Sequence, residues 1–105
     1  MDLYIDTTKI NKTSIKIIES GQEIFCQDYL GMGSDTLLPH LEEVFNLFSP
    51  MKISRIFVNS GPGSFTGTRV GVSVANALAF SFKIPINNLK IGSYATVKYE
   101  VSKYS

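Results

Sequence analysis

Residues 55–82 read "RIFVNSGPGSFTGTRVGVSVANALAFSF", and the fold is decided in this stretch. The apolar run from Arg55 to Asn59 has the β-branched and aromatic content of a buried strand. Glycine, proline and hydroxyl residues follow at once, and from about Gly67 to Phe82 the apolar positions recur as on a helix. A strand feeding a helix through a glycine loop is the unit of an α/β sheet. The loop itself has two readings. Gly61, Gly63, Ser64, Thr66 and Gly67 stand where a helix start offers free N–H groups to a phosphate, which would make this an anion cradle. The Lys and Ser or Thr that close a Walker loop are absent, and the spacing is not GxGxxG. Glycines are also the ordinary means of a tight backbone turn. The residues leave both open.

The helix says more. Gly67, Gly71, Ala75 and Ala79 fall four apart and form a ridge without side chains, where another backbone can approach closely. Val70, Val74, Ala77 and Leu78 cover a second face, leaving a narrow polar stripe of Arg69, Ser73 and Asn76. A helix apolar nearly all round is buried nearly all round. Either the neighbouring helix of the same chain supplies the cover or a second chain does.

Working outward, "LYID" is a short apolar strand and Thr13 to Glu19 an Ile-rich one. Ser20 and Gly21 make a turn, and Glu23 to Leu30 returns as a third strand, antiparallel to the second. After "GMGSD", Ser34 or Asp35 can cap a helix whose apolar positions are Leu37, Leu38, Leu41, Val44, Phe45 and Phe48. Pro39 falls in its first turns, where a missing N–H is tolerated. Beyond the second helix, Leu89 to Ile91 suits a strand reached by a right-handed crossover, and "SYATVKYEVSKYS" a closing helix. The expected fold is α/β, a mixed sheet of about five strands with strands one to three antiparallel and helices packed on it.

The chain has 105 residues, the size of one domain, so residues 1–105 are read as a single unit. Its 44% hydrophobic and 18% charged residues are those of an ordinary globular protein. With ten basic residues against nine acidic ones and no basic run, little attraction to nucleic acid is expected from the chain alone. The charge-poor run from Val70 to Phe82 is too short to span a bilayer, and "MDLYIDTTK" does not read as a secretory signal, so a cytoplasmic location is expected. Cys26 is alone, which rules out a disulfide framework and reads as a small apolar strand residue. Asn11, Lys12 and Thr13 match a glycosylation acceptor that has meaning only in the secretory pathway. Metal or dyad chemistry needs several converging ligands, and the chain has one His. His40 is expected on the solvent or partner face of the first helix, with Glu42 and Glu43 on its solvated surface. Asp6, at the end of the first strand and before Thr7 and Thr8, either meets Mg or phosphate or caps the following turn.

"YIDTT", "SDTLLPHLEEVF", "VNSGPGSFTGTRVGVSVANALAF" and "KIPI", in that order, resemble the N-terminal domain of the TsaB (YeaZ) family. The resemblance runs from residue 3 to about 97. It implies an RNase H-like half of the actin-like ATPase (ASKHA) fold, acting in threonylcarbamoyl-adenosine (t6A37) modification of tRNAs that read ANN codons. It also implies a non-catalytic subunit that binds and activates a TsaD-like partner. The docking helices would match Ser34 to Phe48 and Gly67 to Phe82, which points to Leu37, Leu41, Val44, Phe45, Gly67, Val70, Gly71, Val74, Ala75 and Leu78. ATP and metal would belong to the TsaD-like subunit, with none held by this chain alone. A TsaE-like ATPase is a further partner, tRNA is met only through the complex, and a homodimer is possible in isolation. Family members usually have a second domain of similar size, which by this resemblance is expected to be absent from residues 1–105. The rival expectation is a small nucleotide-binding phosphohydrolase using Asp6 and the Ser60–Gly67 loop. A peptidase role for Ser60 or Ser64 lacks a base at hand.

Overall fold

The computed structural model describes residues 1–30 and 36–98. It opens with β1 (Asp2–Lys9), β2 (Lys12–Glu19) and β3 (Gln22–Leu30), continues through α1 (Leu37–Leu47) and a 3-10 turn (Pro50–Lys52) to β4 (Arg55–Val58), and then runs into α2 (Phe65–Phe82). The strands form one sheet in the order β3-β2-β1-β4. The first three pair antiparallel, and β4 lies parallel to β1 with Ile5 opposite Val58. In the β2–β3 turn Ser20 and Gly21 both have positive φ, 52° and 77°, which suits the twist of a two-residue hairpin.

Period-two alternation sorts the sheet. Leu3, Ile5 and Thr7 of β1 and Thr13, Ile15 and Ile17 of β2 are buried toward the helices. Tyr4, Asp6, Ser14 and Lys16 point the other way, where Lys12 pairs with Asp28 at 3.6 Å and Lys16 with Glu23 at 3.2 Å. Both helices therefore lie on one face. Leu37, Leu41 and Val44 of α1 and Val72, Ala75 and Ala79 of α2 close the core over Ile15, Ile17, Ile56 and Val58. Aromatic contacts seat α1 over β3: the Phe25 and Phe48 rings meet edge to face at 5.5 Å, and Tyr29 stacks on His40 at 3.7 Å.

Four elements depart from expectation. The sheet has four strands among the described residues, not five. Leu89–Ile91 is not a strand; Ile86, three residues earlier, makes a single parallel bridge to Ile56. The ladder stops there because Asn87 and Asn88 take φ of 50° and 60°, left-handed values that no strand tolerates. Ser93–Lys98 forms no helix, and the rest of the expected closing helix lies outside the described residues, as do the caps Ser34 and Asp35. Cys26 is in a strand, but on the solvated face of β3 and exposed. Finally, α2 starts at Phe65 rather than Gly67, because Ser64 caps it by accepting from the Gly67 N–H at 3.4 Å.

Candidate functional site

The end of β1 and the glycine loop close on each other. Thr8 accepts from the Ser64 N–H at 2.6 Å, and a Cβ at Gly63 would overlap the Thr8 backbone and side chain. Thr7, pointing inward, donates its hydroxyl to the Gly67 carbonyl at 2.5 Å. Gly61 has φ of 99°, donates to Asn59 Oδ1 at 3.1 Å and leaves no room for a Cβ against the Lys98 carbonyl. Lys98 in turn donates to Ser60 at 2.7 Å. The glycines here allow backbone to lie against backbone. Of the expected cradle donors, the N–H groups of Gly61, Ser64 and Gly67 are engaged inside the chain.

Asp6 sits beside this clasp, and both its oxygens are occupied. Oδ1 accepts from the Thr8 N–H at 2.9 Å and the Thr8 hydroxyl at 2.6 Å, while Oδ2 accepts from Asn59 at 3.1 Å. Burial alone would push its pKa up, but the three hydrogen bonds and nearby Lys9 outweigh it and hold the carboxyl below its ordinary value. Asn59 thus ties Asp6 to Gly61. Periodicity and motif spacing do not mark Asn59, although a carboxamide directly after the strand "RIFV" is a signal that points to it. On the open sheet face next to Asp6 lies a recess of about 260 Å³ lined by Tyr4, Lys9, Lys12, Lys16 and Asp28. A second, of about 130 Å³, separates the β1–β2 turn from Ser64 and Thr66. Among the described residues no group of three or more His, Cys, Asp or Glu is placed to hold a metal ion.

The residues expected to meet a partner divide. Leu37, Leu41, Val44 and Ala75 belong to the chain's own core, at 0 to 2% exposure. Gly67 and Gly71 are buried against Thr7, so the small-residue ridge faces β1 and not a foreign subunit. The reason is the close approach of a helix lying directly on the central strand of its own sheet. Phe45, Val70, Val74 and Leu78 are half-buried at the margin of that core, with Phe45 against the Phe82 ring at 6.2 Å. The outward side of α2 carries Phe65 at 62% and Phe80 at 80% exposure, neither of which the ridge argument had selected. A groove of about 410 Å³ on this helix is lined by Thr66, Arg69, Val70, Ser73 and Val74. His40 is not simply on the solvent face: it is half-buried under Tyr29, while Glu42 and Glu43 are exposed as expected.

Residues 34–93, from α1 through α2 and beyond, match the family model of TsaD, described as tRNA N6-adenosine threonylcarbamoyltransferase. The chain belongs to that family. Its likeness to TsaB (YeaZ), read from the motifs, is borne out. It is 51% identical over 39 residues to the tRNA threonylcarbamoyladenosine biosynthesis protein TsaB of Bacillus subtilis, a match covering 37% of this chain and 17% of that one. YeaZ from Pseudomonas aeruginosa superposes with a TM-score of 0.73 at 22% identity, over 85% of this chain and 43% of the other. A second Pseudomonas aeruginosa structure, of an uncharacterized protein with similarity to peptidase YEAZ, gives 0.72 at 22% identity, over 85% and 42%. The α/β fold with its mixed sheet is therefore that of YeaZ, and the chain spans less than half the length of these relatives. No helix among the described residues is long and apolar enough to cross a membrane.

Proposed function

We propose that this chain acts in threonylcarbamoyl-adenosine modification of tRNAs reading ANN codons, as a non-catalytic subunit that binds and activates a TsaD-like partner. The sheet with its two helices would be one half of an actin-like, RNase H-like unit. The observation that carries the reading is the outward side of α2, where Phe80 is 80% exposed and Val70 and Val74 are only partly buried at the margin of the core. Exposed aromatics of this kind are enriched in docking surfaces. The internal engagement of Asp6 and of three loop N–H groups also favours a structural role for the glycine loop. ATP and metal would be held by the partner, tRNA would be met in the complex, and a TsaE-like ATPase would join there. Sedimentation velocity of the chain mixed with its cognate TsaD-like subunit tests this. A single faster boundary at micromolar concentration is expected; two unshifted boundaries would refute it.

A second reading keeps one specific observation. Lys9, Lys12 and the hydroxyls of Ser64 and Thr66 line the small recess between the β1–β2 turn and the start of α2, a combination suited to phosphate. Under that reading the chain is a small nucleotide-binding phosphohydrolase using Asp6 and the Ser60–Gly67 loop. Calorimetry with ATP and Mg separates the two, since tight binding by the isolated chain would favour the enzyme.

A further inference from the structure

Among the 18 residues of α2 one carries a formal charge, Arg69. It is exposed on the outward side, in the polar stripe it shares with Ser73, and its guanidinium lies over the Phe65 ring at 5.0 Å. The ring holds the group in place one turn from the helix start, so less side-chain freedom is left to lose on binding. Arg69 belongs to none of the ion pairs formed among the described residues. Thr66 and Ser73, three before and four after it, share its side of the helix, and all three border the same groove with Val70 and Val74. A guanidinium and two hydroxyls lining one groove make a donor set matched to a carboxylate.

The consequence follows from desolvation. If this face docks, as the proposed function requires, water leaves the groove and an unpaired guanidinium there becomes costly. The partner must bring the opposite charge to that point. A second copy of the chain, laid α2 against α2, offers the same cation instead.

We propose that Arg69, flanked by Thr66 and Ser73, is the position at which the docking face reads its partner, and that the partner is an apolar helical surface carrying an Asp or Glu that lands on Arg69. The pairing selects the heterologous partner over a second copy and makes the complex sensitive to salt.

Affinity for the TsaD-like subunit, measured by calorimetry at low and high salt, tests it with Arg69→Gln, Arg69→Lys and Arg69→Glu. The Gln variant should bind about tenfold more weakly and the Glu variant about 100-fold more weakly, with Lys between wild type and Gln. The salt dependence should shrink in the Gln variant, and an acid-to-Lys exchange on the partner should restore binding to Arg69→Glu. Since Arg69 is exposed, all three should melt as wild type does, which separates lost contact from lost fold. A Glu variant that binds within about twofold of wild type would overturn the proposal and leave the docking reading standing. If the wild-type chain forms no complex, both fall together.

Discussion

Thr7 and Gly71 meet where β1 passes beneath α2: a Cβ on Gly71 would overlap the Thr7 hydroxyl and its Cβ. The same hydroxyl donates to the Gly67 carbonyl one turn earlier. Gly71→Ala should therefore destabilise the fold by about 1–3 kcal/mol, despite alanine's better helix propensity, because the helix must lift or the hydroxyl must turn away. In a Thr7→Ala background most of that cost should vanish. A double-mutant cycle from urea unfolding reads the coupling, and strictly additive effects would mean that the two residues do not share the space.

Asp6 gives a pH signature. Its folded pKa is lowered, so its stabilising contribution is present above the ordinary carboxylate range and is lost as the pH falls through the folded value. Asp6→Asn should cost about 1 kcal/mol at neutral pH, a charged hydrogen-bond contribution reduced by the partial exposure of the group. Wild type and variant should converge in acid. Thermal melts of both proteins from neutral pH down to below the carboxylate range check this, and a constant gap would place the effect outside the Asp6 carboxyl.

Much of the architecture was legible in the residues, for physical reasons that differ by element. The alternation in β1 and β2 and the spacing of Leu37, Leu41 and Val44 announce a face, and burial in the structure follows that face. The destination of a face is another matter. Gly67, Gly71 and Ala75 announced a close approach, but local spacing does not say which backbone approaches, and it proved to be β1 of the same chain. The proposed docking surface was only half legible for the same reason. Val70 and Val74 follow from periodicity, whereas Phe65 and Phe80 stand out only once the ridge is known to point inward. The missing fifth strand rests on the Asn87–Asn88 pair, whose left-handed backbone interrupts an apolar segment that otherwise reads as extended.

Asn87 is more than a break. Its side chain accepts from the Val58 N–H at 2.8 Å and donates to the Val58 carbonyl at 3.1 Å, taking the place of a fifth strand at this edge of β4. Asn87→Ala leaves both backbone groups without these partners and adds the strain of a left-handed alanine. A loss of about 2 kcal/mol or more is expected by chemical denaturation. Hydrogen exchange should localise it, with the Val58 amide losing protection; unchanged protection at Val58 would mean that the carboxamide does not cap the edge.

The inward and outward sides of the helices should separate cleanly in function. Leu41 is 2% exposed, and Leu41→Ala should cost about 2–5 kcal/mol of stability through lost burial and an incompletely collapsed cavity. Phe80 is 80% exposed, so Phe80→Ala should leave stability within about 0.5 kcal/mol of wild type. Their effects on the complex should run the other way. At a temperature where both variants remain folded, Phe80→Ala should weaken binding of the TsaD-like subunit by about tenfold, as expected for a buried aromatic anchor. Leu41→Ala should bind nearly as wild type does, because its side chain meets only its own core. Paired melts and titrations of the two variants decide the matter. If Leu41→Ala lost affinity while folded and Phe80→Ala did not, the docking face would have to be sought on the α1 side, away from the outward strip of α2.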